Sequence, residues 1–375
     1  MAADHSFRFL PTVAAWAQGL LFMACVLATA HAQDHRPQPS TLVYGPYKHL
    51  NTGVDPAHPA ATTHVTGQPL RLAEASRDTL LPGVRAVTLA FASGECGQER
   101  WKATDVWMAH PDPSQGQTLT HRASVDLDAQ AVADANVAAF AKARLPYIIS
   151  TGGEGNVFTC STDEGMERFI QRYRSSSLLG FDFDIESTQT LAAIQSLVAR
   201  VKAAQARHPT LRWSFTLPTF AASDASRASL NPLGLQVLAT LREAQLQRVY
   251  INLMVMDYGA ASAAACVVRD ARCDMAASAL QAARNLHAVH GVPLQYIELT
   301  AMIGVNDVVD NVFTLQDAQT LARQAQALAL GGLHFWSLDR DTPCPGGATA
   351  VTSTCSSLNQ LDALAFSHAF AQGLR

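Results

Sequence analysis

Three acids, Asp182, Asp184 and Glu186, recur at every second position of the run Gly180-Phe181-Asp182-Phe183-Asp184-Ile185-Glu186. A β-strand turns alternate side chains to opposite faces, so the three carboxyls share one face while Phe181, Phe183 and Ile185 take the other. Carboxylates held this close raise one another's proton affinity, and a buried set must retain a proton near neutral pH. A solvated acidic edge strand would leave Phe181 and Phe183 in need of a second apolar layer. The run therefore reads as a buried strand that serves general acid/base chemistry, with one carboxyl poised to release its proton.

Such a strand needs a scaffold. Apolar runs at 41–47, 84–93, 146–153, 180–186, 211–218, 249–258, 294–304 and 333–339 read as eight strands. Between them lie helical patterns. Leu191, Ile194, Leu197, Val198 and Val201 fall at three- and four-residue spacing and are ended by His208-Pro209. Segments 129–144, 164–173, 233–244, 275–289 and 315–330 read the same way. Strand and helix alternating this often predict an α/β fold with a parallel sheet closed as a single (β/α)8 TIM barrel. An open doubly wound sheet is the alternative, but it wants a glycine-rich phosphate turn after its first strand, and Gly45-Pro46-Tyr47 is not one. A barrel of this kind works at the carboxyl ends of its strands. Ser150-Thr151-Gly152-Gly153, the three acids, Met256-Asp257-Tyr258-Gly259 and Trp336 are therefore expected around one mouth.

Composition narrows the partner. The 375-residue chain is 48% hydrophobic and 15% charged with a net charge of -4, enough for a large core and with no basic footprint for nucleic acid. A neutral polymer such as polysaccharide suits this surface. Arg8 ahead of an apolar run at 19–30, then Ala30-His31-Ala32, reads as an export signal spanning 1–32. A polar, proline-bearing lead-in (33–40) and a catalytic barrel (41–375) follow. The apolar run is too short and interrupted for a membrane span, and no other stretch approaches the ~20 residues needed. The mature chain is thus expected to be secreted or periplasmic. It keeps six cysteines, Cys96, Cys160, Cys266, Cys273, Cys344 and Cys355, an even number that favours disulfides. Local pairs Cys266 with Cys273 and Cys344 with Cys355 would leave Cys96 with Cys160. No Cys-x-x-Cys pair and no paired histidines stand nearby, so neither a metal nor another cofactor is expected.

The chain resembles the family 18 glycoside hydrolases, the chitinases and their relatives, over roughly residues 42–341. The family's fourth-strand signature Asp-Gly-x-Asp-x-Asp-x-Glu stands here as residues 179–186, with Leu179 at the first aspartate. Its third-strand Ser-x-Gly-Gly is intact as Ser150-Thr151-Gly152-Gly153. The sixth-strand Met-x-Tyr-Asp appears as Met254-Val255-Met256-Asp257-Tyr258. This Met-Asp-Tyr-Gly form is similar to one bacterial branch, as are Ala301-Met302-Ile303-Gly304 with Asn306-Asp307 and Phe335-Trp336-Ser337.

The resemblance implies substrate-assisted hydrolysis of β-1,4-linked N-acetylglucosamine in chitin or its oligosaccharides, with retention of configuration. Glu186 would protonate the glycosidic oxygen, the sugar's acetamide oxygen would attack, Asp184 would hold the acetamide nitrogen, and Asp182 would share a proton with Asp184. Asp257 or Tyr258 would fix the acetamide from the sixth strand, and Trp336 would stack under the sugar. Tyr44, Phe91 and Met302 are further candidates for that floor, and Met256 for the cavity lining.

Plainer roles stand beside these. Gly152 and Gly153 serve a close backbone approach equally well, and Trp336 could be barrel filling. Met254, Met256 and Met302 fit as cavity filler. Trp101, Trp107, Trp213 and the scattered histidines read as packing or surface residues. Two other functions fit the same motifs: a lectin-like chitin binder that has lost turnover, and an endo-N-acetylglucosaminidase acting on N-glycans or peptidoglycan. Glu186 argues against the lectin, which has no use for a proton donor.

Overall fold

Eight short runs of β-branched and aromatic residues form the barrel wall: β1 (Val43–His49), β2 (Val87–Ala92), β3 (Tyr147–Gly152), β4 (Leu178–Asp184), β5 (Arg212–Pro218), β6 (Val249–Met254), β7 (Ile297–Met302) and β8 (Gly332–Trp336). Each pairs in parallel with its neighbour, and β8 pairs with β1 to close the cylinder. The computed structural model describes residues 42–375 apart from 76–79, 110–116, 187–188, 228 and 345–350, with backbone only at 105–109 and 117–123. The expected export signal, the lead-in and the Trp107 side chain lie outside the described part.

All eight expected strands are present, within a few residues of their expected bounds. The expected runs overshoot where apolar residues continue into turns: β6 stops at Met254, and Leu294–Tyr296 is a 3-10 turn ahead of β7. Helices α1 (Ala129–Ala143), α2 (Asp163–Arg172), α3 (Leu191–Arg207), α4 (Pro232–Glu243), α5 (Met275–His290), α6 (Leu315–Ala327) and α7 (Ala365–Gly373) cover the wall. Asp128, Thr162, Thr190, Asn231, Asp274 and Thr314 cap the first six, each side chain accepting a main-chain N–H of the first turn. A cap of this kind contributes about 1 kcal/mol.

Two departures from a regular barrel were not expected. Among the described residues, a 3-10 turn at Leu72–Glu74 stands where a helix would join β1 to β2. After β2, an antiparallel ribbon of Arg100–Ala109 with Gln117–Asp128 precedes α1, so an insertion is present where none was expected.

The register fixes what faces what. Asp182 lies opposite Ser150 of β3 and Ser214 of β5, and Asp184 lies opposite Gly152 and Thr216. The alternate residues point outward: Phe181 packs 4.8 Å from Phe169 of α2, and Phe183 lies 5.1 Å from Phe215, ring centre to ring centre. Phe181, Phe183, Trp213 and Phe215 are all fully buried, each such side chain contributing roughly 1.5–3 kcal/mol. The second apolar layer that the phenylalanines demand is therefore present. Trp101 is packed as well, donating its indole N–H to Tyr173.

Arg212 plugs the barrel interior beneath the acids. Its Nε donates to Glu298 Oε1 at 2.9 Å, and its guanidinium lies 3.2 Å over the Tyr250 ring. Burial opposes ionisation of Glu298, but Arg212 and His334 hold its pKa down to about 2. Three disulfides, Cys96–Cys160, Cys266–Cys273 and Cys344–Cys355, match the expected pairing. Among the described residues no helix is long and apolar enough to cross a membrane.

Candidate active site

The carboxyl ends of the strands surround a cavity of about 550 Å³. Its walls include Tyr47, Phe91, Asp184, Glu186, Thr216, Met254, Met256, Asp257, Met302 and Trp336. This size suits a sugar-scale ligand.

Asp182 is buried beneath the cavity and does not line it. Its Oδ2 accepts from Ser150 at 2.6 Å and Tyr47 at 3.1 Å, and its Oδ1 accepts from Thr216 at 2.7 Å and Ser214 at 2.8 Å. Burial pushes its pKa up while the serine and threonine hydroxyls pull it down. Asn252 extends this layer, donating to Tyr47 at 3.0 Å and Thr216 at 2.9 Å and accepting from Thr300. Asp182 thus spends its hydrogen bonds on these hydroxyls and acts on Asp184 through its charge. Asp184 shares its hydrogen bond with Glu186 instead.

Asp184 is buried and its Oδ1 has no hydroxyl, amide or cation donor. Burial, then the charges of Glu186 and Asp182, raise its pKa well above the carboxylate range. Glu186 stands just past β4, half-buried. Burial and the nearby Glu154 carboxylate push its pKa up to about 7, against the hydrogen bonds from Asp184 and from the Glu154 main-chain N–H. The pair therefore holds a proton at neutral pH, the requirement for a general acid.

The opposite wall comes from the turn after β6. Asp257 lines the cavity, and its Oδ1 accepts the Val308 N–H at 2.7 Å, which ties it to the loop after β7. Arg340, buried behind, donates to the carbonyls of Ile303, Val305 and Thr352. Burial lowers its pKa to about 10, while Asp307 and Asp257 favour its charge. Tyr258 is turned away: it is buried, does not line the cavity, and burial raises its pKa. Of the two residues expected to fix a ligand from the sixth strand, Asp257 lines the cavity and Tyr258 does not.

Trp336 and Phe91 stack with ring centres 5.5 Å apart, and Tyr47 lies 6.1 Å from Trp336, so the floor is aromatic. Met256 and Met302 line the cavity as expected. Tyr44 does not: strand alternation puts it on the outer face of β1, where it packs 5.8 Å from Phe370 of α7. Tyr47 holds the inner position and was missed, although its place three residues after Tyr44 reverses its face.

Gly152 and Gly153 are also absent from the lining, and their duty is conformational. Both have positive φ, 85° and 81°. A β-carbon on Gly152 would lie 2.1 Å from the Asp184 carbonyl oxygen, and one on Gly153 would lie 2.7 Å from the Phe91 ring. Asp307, of the Asn306-Asp307 pair, lines the cavity too; Glu154, Phe220 and Asn231 do so without having been singled out, because loop residues carry no periodicity to read, and Thr216 of β5 was passed over as a lone threonine in an apolar strand. Among the described residues no cluster of ligating side chains could hold a metal.

No family model matches the chain. It is 28% identical over 245 residues to a probable bifunctional chitinase/lysozyme of Escherichia coli, the match covering 60% of this chain and 26% of that protein. It is 27% identical over 229 residues to Endochitinase 11 of Metarhizium anisopliae, covering 52% of this chain and 40% of that protein. The chain thus spans between about a quarter and two fifths of these relatives. The catalytic domain of a hyperthermophilic chitinase from Pyrococcus furiosus has the same fold, with a TM-score of 0.62 at 24% identity over 90% of this chain and 96% of that one. Mutants of active domain 2 of the Pyrococcus furiosus chitinase superpose with a TM-score of 0.59 at 23% identity over 90% and 97%.

Proposed function

We propose that the chain is an exported family 18 glycoside hydrolase that cleaves β-1,4-linked N-acetylglucosamine in chitin or chitin oligomers. The observation that carries this reading is the Glu186 carboxyl, pushed up to about 7 beside a buried Asp184 at the mouth of the barrel. Sequence similarity to two chitinases supports it.

Glu186 gives its proton to the glycosidic oxygen as the bond to the anomeric carbon breaks. The acetamide oxygen of the same sugar attacks that carbon, forming an oxazolinium ion, which water opens with net retention. Asp184 accepts the acetamide N–H and balances the positive charge that develops there. Asp182, gripped by four hydroxyls, is held beneath Asp184 and raises the proton affinity of that carboxyl. The Asp257 oxygen not engaged by Val308 holds the acetamide from the far wall. Trp336, flanked by Phe91, supports the apolar face of the pyranose ring.

The lining also favours one polymer over another. Glu154, Asp184, Glu186, Asp257 and Asp307 bring five carboxyls to the cavity, and no lysine, arginine or histidine is among the described residues that line it. An anionic lactyl group, as on muramic acid, meets repulsion there, whereas the neutral N-acetylglucosamine polymer does not.

Product stereochemistry tests the reading. NMR of fresh hydrolysate from an N-acetylglucosamine oligomer should show the β-anomer first, and cello-oligosaccharides, which lack the acetamide, should resist cleavage. An α-anomer as first product, or equal cleavage of the cello-oligosaccharide, would overturn it.

A further inference from the structure

The turn after β3 reaches into the site. Gly153 N–H donates to the Asp184 carbonyl at 3.3 Å, and the two positive-φ glycines let this turn lie against the end of β4. The following residue, Glu154, arrives beside Glu186: its main-chain N–H donates to the Glu186 carboxyl, and its own carboxylate stands exposed on the same cavity wall. The turn is tied down twice. Asn156 N–H donates to the Gly153 carbonyl at 3.0 Å, and its Nδ2 donates to the Glu154 carbonyl at 2.9 Å. Lys102 of the inserted ribbon donates to Asn156 Oδ1 at 3.0 Å.

We propose that Glu154 is a positioning residue for Glu186: its main-chain N–H orients the acid, and its carboxylate keeps the proton there until a glycosidic oxygen arrives. The inference rests on the hydrolase reading above and extends it to a residue outside the motifs. A neutral side chain at the tip of this turn would serve the backbone equally well, so the charge needs a reason of its own. Several groups share the cavity wall with Glu186: Asp184 from β4, the Tyr47 phenol from β1, Asp257 after β6 and Asp307 after β7, with the Arg340 cation behind the last two and Asp182 buried beneath Asp184. Among these charges Glu154 weighs most on Glu186 after burial itself. Unlike Asp184 it is exposed, so its influence is screened by salt.

The test is Glu154→Gln, which keeps the N–H and the shape but removes the charge. kcat/KM for a chromogenic chitobiose substrate is measured across pH at low and high salt, with Glu154→Asp and Glu186→Gln alongside. At low salt the alkaline limb of Glu154→Gln should move toward acid by about half a unit to one unit, since a lost like charge makes Glu186 a stronger acid. Glu154→Asp should keep the wild-type limb, and high salt should narrow the gap between wild type and Glu154→Gln. An unmoved limb, or an equal loss at every pH, overturns the proposal while inactive Glu186→Gln leaves the hydrolase reading standing. Wild-type turnover in Glu186→Gln would remove that reading and this one with it.

Discussion

Ser150 donates its hydroxyl to Asp182 Oδ2 at 2.6 Å between the paired strands β3 and β4, joining two of the sequence motifs in one contact. The contact makes Asp182 the hub of a buried hydroxyl layer. Asp182→Ala strands four hydroxyl donors in the barrel interior. We expect it to destabilise the fold by roughly 2–4 kcal/mol, read from the urea midpoint. Asp182→Asn keeps acceptor capacity on one atom only, so it should fall between. A wild-type midpoint for Asp182→Ala would contradict this role.

Gly152→Ala places a β-carbon 2.1 Å from the Asp184 carbonyl oxygen at a φ of 85°. Neither strand end can move without displacing the acid pair. The expected outcome is a loss of at least about 2 kcal/mol in stability together with reduced kcat. Gly153→Ala meets a ring edge that can yield and should cost less. Equal stability of Gly152→Ala and wild type would count against the close approach.

Arg340 bridges three main-chain carbonyls from inside the protein. Arg340→Met leaves those carbonyls unpaired and frees the loop that carries Asp307 and Val308. KM should rise, and limited proteolysis should cut near that loop. Arg340→Lys should rescue poorly, because one ammonium cannot reproduce the planar fork. Full rescue by lysine would show that charge alone matters.

Trp336→Ala removes the sugar-facing ring while Phe91 and Tyr47 remain. kcat/KM on chitin oligomers should fall by about tenfold or more, mainly through KM, and Trp336→Phe should recover part of it. Unchanged KM in Trp336→Ala would assign the ring to packing.

The barrel was legible because its strands are short apolar runs that, from the third onward, alternate with helical patterns, and the acid strand because alternate phenylalanines and acids admit one pairing of faces. The inserted ribbon was not. Its residues 117–128 mix threonine, charged and apolar side chains without a strict alternation. In the site, Asp184, Glu186, Asp257, Phe91, Met256, Met302 and Trp336 reach the cavity as their strand ends suggested. Tyr44 does not, since it stands on the outer face of β1, and Tyr258 does not, because the chain has left β6 by then and the positive φ of Asp257 (49°) breaks the alternation. Glu154 was invisible because its place depends on two positive-φ glycines folding a loop back, a path that no local pattern encodes.

Glu186 carries the transferable proton, which makes Glu186→Gln, assayed beside wild type across pH, the decisive variant. Wild-type kcat/KM should fall as pH rises through about 7, where Glu186 loses its proton. The variant should be slower by roughly 10²–10⁴ at every pH, since amide cannot donate to the leaving oxygen. A Glu186→Gln protein that turns over chitobiose substrate at the wild-type rate, with the same alkaline limb, would contradict the account.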